Sequence, residues 1–207
     1  MTDSDLAEAR DDLAFMRSLV SGGGQFQTVA GEIFIWAGLL YGLQCLLSWL
    51  DVAGVVSFSQ PAMLVVSFGP TFVFLVVLGI VIWRERKAPK SAGALRALEA
   101  VFQGAGIANL VLALVFAYGA HLTQSITVWL YHPVVVCVFQ GVAWYVAWII
   151  RKRAWLGLVS LGWFAVSLTC GLLVQSPDKF LLTIGVALIL LMALPGYAMR
   201  RAGKQAA

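Results

Sequence analysis

The sequence predicts an all-α polytopic membrane protein, a six-transmembrane-helix bundle with a short cytoplasmic helix at its N-terminus. Three observations predict it. Of the 207 residues, 61% are hydrophobic and 12% charged, with a mean hydropathy of +0.89, well outside the range of soluble domains. The apolar residues gather into six runs of about 20, each long enough to cross the ~30 Å hydrocarbon core as a helix. Of the 14 Lys and Arg, all but Lys179 fall on one side of those runs, which sets that side in the cytoplasm.

Residues 1–24 read as a cytoplasmic amphipathic helix with a glycine hinge. Asp5 is the candidate N-cap, Glu8 completes a capping box, and Gly22, Gly23 and Gly24 end the helix. Leu6, Ala9, Leu13, Met16 and Val20 give a narrow, heptad-like seam. The segment is acidic, with Asp3, Asp5, Glu8, Asp11 and Asp12 against Arg10 and Arg17, so an anionic inner leaflet would repel it. Two readings remain: docking across the basic loops on its own side, and a solvated tail.

The six-helix transmembrane domain covers 25–199 and is followed by a short basic tail, 200–207. In the first span, Gly31 to Leu50, the residues Gly31, Ile35, Gly38, Gly42, Cys45 and Trp49 share one narrow helical stripe. Gly38 and Gly42 form a small-xxx-small pair, which makes this stripe the predicted packing face. A loop, 51–60, leads to the second run, Pro61 to Trp83, where Pro70 predicts a kink. Beyond a basic loop, 84–96, the third run extends from Ala97 to Tyr118. A turn, 119–125, separates it from the fourth, Ile126 to Ile150, which Arg151, Lys152 and Arg153 stop. The fifth covers Ala154 to Val174 and, after the turn 175–179, the sixth covers Phe180 to Met199. An even number of spans puts both termini in the cytoplasm. Trp49 and Trp129 mark the outer interface, and Trp83, Trp148 and Trp155 the inner one. The word VFQG recurs at 101–104 and 138–141 on helices of opposite direction, a coincidence rather than a transporter repeat.

Polar side chains within the spans are few. Gln44, Asn109 and Gln140 each lie roughly 15 to 18 Å from the cytoplasmic end of their helix and form a candidate midplane polar cluster. The short turn between the third and fourth spans is expected to bring Asn109 and Gln140 within reach of each other. On the third span, Glu99, Gln103, Gly106, Leu110, Ala113 and Ala117 make a small-or-polar stripe that is expected to turn inward. The amides serve either as hydrogen-bond glue between helices or as a pocket for a small solute. Glu32 and Glu99 are cytoplasmic-edge acids, placed where the positive end of a helix dipole favours them, in an interfacial structural role or as a proton or cation site. Asp51, His121, His132 and Asp178 crowd the predicted outer face, a set able to hold Zn²⁺ or sense acid pH. No motif spacing supports a metal there, and His132, between Tyr131 and Pro133, reads as an interfacial residue. Cys45, Cys137 and Cys170 lie inside apolar runs and read as small core residues.

The sequence holds no HExxH, no GxSxG and no glycine-rich phosphate loop, so protease, hydrolase and nucleotide-binding chemistries lack their base, nucleophile or phosphate cradle. No enzymatic activity, cofactor, metal or nucleic-acid partner is expected. The acidic start, without a basic region leading into an apolar core, makes a removable signal peptide unexpected. The stretches DLAFMRSLVSGG (Asp12 to Gly23) and GEIFIWAGLLYGLQ (Gly31 to Gln44) resemble the start of a group of six-span inner-membrane proteins of Gram-negative bacteria with no assigned activity. That resemblance implies an inner-membrane location and transfers no functional residues. The reading that follows is a non-enzymatic inner-membrane protein, a regulatory or assembly subunit, whose small-residue faces meet a protein partner or a second copy within the lipid bilayer. The alternative is a small-solute transporter or channel with a midplane pocket.

Overall fold

The computed structural model describes the backbone of residues 3–86 and 94–206, and the side chains of 27–86 and 96–205. Helices α1 (Asp3–Val52), α2 (Gln60–Glu85), α3 (Ala94–Thr123), α4 (Ile126–Arg151) and α5 (Ala154–Leu172) follow one another. The last span combines α6 (Pro177–Leu188), a π-helical turn (Ile189–Ala193) and α7 (Leu194–Ala206). Six segments among the described residues are long and apolar enough to cross a membrane, so the chain is a multi-pass membrane protein, and Gly31 at the start of the first span meets Arg200 at the close of the sixth at one end of the bundle. Arg84, Arg151, Arg153, Arg200 and Lys204 stand at that basic end as well.

Two tight connections use left-handed backbone at non-glycine residues, Gln124 (φ 52°) and Lys152 (φ 54°). At the first, the Thr123 hydroxyl donates to the Gly119 carbonyl (2.8 Å) and Gln124 Nε2 donates to the His121 carbonyl (2.6 Å), satisfying acceptors that the end of α3 leaves open. Helix α3 consequently runs past Tyr118 to Thr123, and only Gln124 and Ser125 separate it from α4.

The helices neighbour one another in the order α2, α1, sixth span, α5, α4, α3. None of the apolar window of α3 is buried, against 44% for the sixth span, so α2 and α3 flank a core made by the other four. At the basic end the ring closes, where Phe34 of α1 meets Phe102 of α3 edge-on at 5.2 Å and Trp144 of α4 at 5.4 Å.

The tightest interface joins the first span to the last. A Cβ on Gly31 would lie 2.5 Å from the Gly196 carbonyl oxygen, and one on Gly196 would lie 2.8 Å from that of Gly31. One on Gly38 would meet the Ala193 nitrogen at 2.5 Å, and one on Gly42 the Ile189 side chain at 2.8 Å. Backbone rests on backbone here, which only glycine permits. The predicted stripe on the first span is the packing face, and the sixth span is its partner.

Helices α4 and α5 join differently. The buried positions of α5 include Leu156, Ser160, Trp163, Ser167 and Cys170, in alternating steps of four and three that give a coiled-coil-like seam, which the buried Val174 continues just beyond the helix. Ser160 donates to the Gly141 carbonyl (2.8 Å) and Ser167 to that of Val134 (2.9 Å), one heptad apart on both helices. Each buried hydroxyl therefore has its acceptor on the neighbouring helix. Cys137 and Cys170 are buried in this region, as small core residues should be.

The π-helical turn follows from Pro195. Proline has no N–H for the carbonyl four residues back, which is Leu191. Trp163 Nε1 donates to that oxygen instead, at 3.2 Å. Just before it, the Leu194 N–H reaches the Ile189 carbonyl, five residues back.

Three expectations need correction. The backbone stays helical through Gly22, Gly23 and Gly24 rather than stopping there, because each glycine costs a helix about 1 kcal/mol relative to alanine without blocking it. The tail from Arg200 is not a separate segment, since α7 continues to Ala206. The stripe of Gln103, Gly106, Leu110 and Ala117 on α3 is exposed rather than turned inward, because α3 packs on α4 through its other side: Phe102 meets Trp144, Phe116 meets His132 and Gly119 meets Val128. The proposed docking of the first 20 residues concerns side chains outside the described residues.

Gly196→Leu is expected to cost about 3 kcal/mol or more, because the colliding atoms are backbone, whereas Gly104→Leu, with open space around it, leaves thermal stability in detergent nearly unchanged. Trp163→Phe is expected to cost about 2 kcal/mol by orphaning the Leu191 carbonyl. Adding Pro195→Ala, which restores an N–H for that carbonyl, should recover part of the loss in the same assay.

Candidate functional site

Side-chain contacts along its length tie α1 to α2, starting at the basic end. Glu32 pairs with Arg84 at 2.8 Å, and Arg84 also meets Glu85 at 3.1 Å. Midway, Tyr41 packs against Phe74 at 5.5 Å. Deeper still, Gln44 Nε2 donates to the Ser67 carbonyl at 2.9 Å. That acceptor lies in the turn that Pro70 opens by withholding its N–H from Val66. Glu32 thus has a cationic partner at the membrane edge, the arrangement in which an acid at that depth is least costly.

The three candidate midplane amides find different environments. Gln44 bonds to α2, and its Oε1 is buried with no partner among the described residues. Asn109 Oδ1 accepts from the His132 Nε2–H across α3 and α4, 3.0 Å apart. Gln140 Oε1 is buried and has no partner among the described residues. The expected contact between Asn109 and Gln140 is therefore replaced by one between Asn109 and His132. Matching depths gave no information on which way each side chain points around its helix.

His132 lies within α4 rather than at its edge, stacked on Trp129 (ring centroids 5.1 Å, planes 20° apart) and near Phe116 (6.1 Å). Its half-buried imidazole needs a hydrogen-bond partner in this setting, and the Asn109 amide supplies one. Asp51 is occupied locally, since its Oδ1 accepts from the Phe58 N–H at 2.9 Å and closes the loop after α1. No group of three or more His, Cys, Asp or Glu able to hold a metal occurs among the described residues. Glu99 is half-buried near the start of α3 and engaged in interactions of its own.

What the sequence reading placed inside, the fold places outside. Gln103, Gly104, Gly106 and Asn109 are all exposed on α3, and nothing lies within 4 Å of where a Cβ on Gly104 or Gly106 would stand. Gln103 is seven residues from Arg96, about 10 Å into the span. An amide facing hydrocarbon without a partner is costly, and small residues beside it allow another helix backbone to approach closely. This outward face of α3 is the candidate interaction site.

A double-mutant cycle on Asn109→Leu and His132→Leu should give a coupling of about 1 kcal/mol in thermal or denaturant unfolding. The same cycle on Asn109 and Gln140 should give additive effects. No known protein family matches the chain, and neither a curated protein nor a solved structure matches it.

Proposed function

We propose that this chain is a non-enzymatic inner-membrane subunit, regulatory or assembly in role, that binds a membrane-embedded protein through the outward face of α3. The observation that carries the proposal is the exposed amide of Gln103 beside the open surface at Gly104 and Gly106. A helix seated there would satisfy the amide and bury the small residues in one step. The distribution of Lys and Arg supports a cytoplasmic basic end, and the N-terminal resemblance supports a bacterial inner membrane. A small-solute carrier is the second reading, favoured by the unpartnered Oε1 atoms of Gln44 and Gln140.

Photo-crosslinking in membranes tests the first reading. A photoreactive residue at Gly106 is expected to capture a discrete protein adduct, and one at Leu158, an exposed position on α5, is expected to capture lipid. Equal protein capture at both positions would refute the assignment of α3. Reporter fusions after Arg153 and Lys204 should read as cytoplasmic, and those near Ser57, Gln124 and Asp178 as external; an inverted pair would refute the orientation.

A further inference from the structure

Helix α1 is much longer than its span. It is continuous over Asp3–Val52, and only Gln27–Val52 belongs to the membrane-crossing segment. Gly31 meets Gly196 and Arg200 of α7, so by helix rise Ala206, where α7 is last described, stands level with about residue 23 of α1. Helix α2 ends one residue after the Arg84 that pairs with Glu32. Helices α3 and α4, placed by the contacts of Phe102 and Trp144 with Phe34, reach no further than about residue 26. Beyond that level the backbone of α1 runs on for about 20 residues, roughly 30 Å, with no other described helix beside it. A lone helix of that length is marginal in water, so a partner for it is part of its structure.

The order of residues in this extension says which partner fits. With Leu6 at the a position of a heptad, Leu13 and Val20 also fall at a, and Ala9 and Met16 at d. The charges then take up matching places: Asp5 and Asp12 fall at g, Arg10 and Arg17 at e. In a parallel pair of helices each g residue faces the e residue five places on in its partner, so Asp5 meets Arg10 and Asp12 meets Arg17, on both sides of the pair. An antiparallel pair would set g against g and e against e, acid against acid and base against base. Glu8 and Asp11, at c and f, stay outside the contact.

We propose that residues 3–20 of α1 pair with the same segment of a second copy of this chain, as a parallel two-stranded coiled coil standing off the basic end of the bundle. A membrane holds every copy in one direction, so the parallel arrangement that the charges select is the one two neighbouring copies can adopt. About two and a half heptads are short for a coiled coil free in solution, but anchoring both strands in one bilayer raises their effective concentration. At 100° per residue the seam prolongs the face that carries Gly31, Gly38 and Gly42. The second copy therefore takes over where α7 leaves off. Gly22, Gly23 and Gly24 lie at that change-over, where the two strands can splay toward their separate bundles. This contact is distinct from the α3 face, since it lies outside the spans and joins like chains.

Disulfide crosslinking of the full chain in membranes tests this. Leu13→Cys, at a central a position, should give a two-chain product under mild oxidation, and Asp11→Cys, at f, about tenfold less of it. The parent chain, whose Cys45, Cys137 and Cys170 lie inside spans, sets the background. In the Leu13→Cys chain, adding Arg10→Glu with Arg17→Glu sets acids against acids and should cut the yield about tenfold. Adding Asp5→Arg with Asp12→Arg instead sets bases against bases and should cut it likewise. Co-expressing these two charge variants under different tags should restore the mixed product to the parental yield, because every facing pair is opposite in sign again. That recovery distinguishes pairing from a melted helix, which mixing does not repair. The proposal is overturned if Asp11→Cys crosslinks as well as Leu13→Cys, if neither crosslinks above background, as when the segment docks on its own chain's basic loops, if the charge variants keep the parental yield, or if mixing them restores nothing.

Discussion

Everything else in this bundle is arranged around the place where α1 and α7 touch without side chains between them. Gly31 and Gly196 face each other backbone to backbone, and Gly38 and Gly42 extend the contact past the π-helical turn. In lipid, apolar side chains gain little by leaving one hydrocarbon for another, so close approach and the dispersion contacts it permits provide much of the association energy. Glycines confined to one stripe concentrate that energy on one partner. The contact fixes the first and sixth spans beside each other and leaves the opposite side of α1 for α2, with Glu32 and Arg84 at its edge.

The remaining interfaces show a second way of holding helices together where closeness alone does not suffice. Between α4 and α5, serine hydroxyls reach across to carbonyls of the neighbouring helix, and between α5 and the sixth span an indole N–H reaches the carbonyl that a proline has released. Each such bond settles a polar atom that hydrocarbon would otherwise leave exposed. Their modest individual strength is offset by their direction: a hydroxyl or indole donor fits one register and no other. The outer helices lack such a ladder. Among the described residues, helix α2 is held to α1 by an amide bond, a tyrosine–threonine contact and an ion pair, and α3 to α4 by an amide–imidazole contact.

Much of this was legible in the residues. Hydrocarbon thickness fixes the length of a span, so six apolar runs translate directly into six helices. Helical periodicity likewise gathers Gly31, Gly38 and Gly42 onto one face before any partner is known. Periodicity does not say what a face meets, however, and the sixth span could not be named as that partner from spacing. For the same reason the small-residue stripe of α3 was assigned to the interior: in a membrane, small residues suit either a neighbour within the chain or one outside it. Depth along a helix placed Asn109 level with Gln140, but the side-chain direction that selects His132 depends on how α3 and α4 are rotated.

The pairing of α1 with α7 also has a meaning in time. A membrane protein is made from its N-terminus, and its first helix enters the bilayer while the rest is still being synthesised. Here the first of the six spans finds its tightest packing partner in the sixth. Until the sixth span arrives, the glycine face of α1 lies open to lipid, and α2 occupies only the opposite flank. The bundle is consequently closed by its sixth span, and a chain shortened before Gly185 would contain at most five inserted helices yet no seam to hold the first of them.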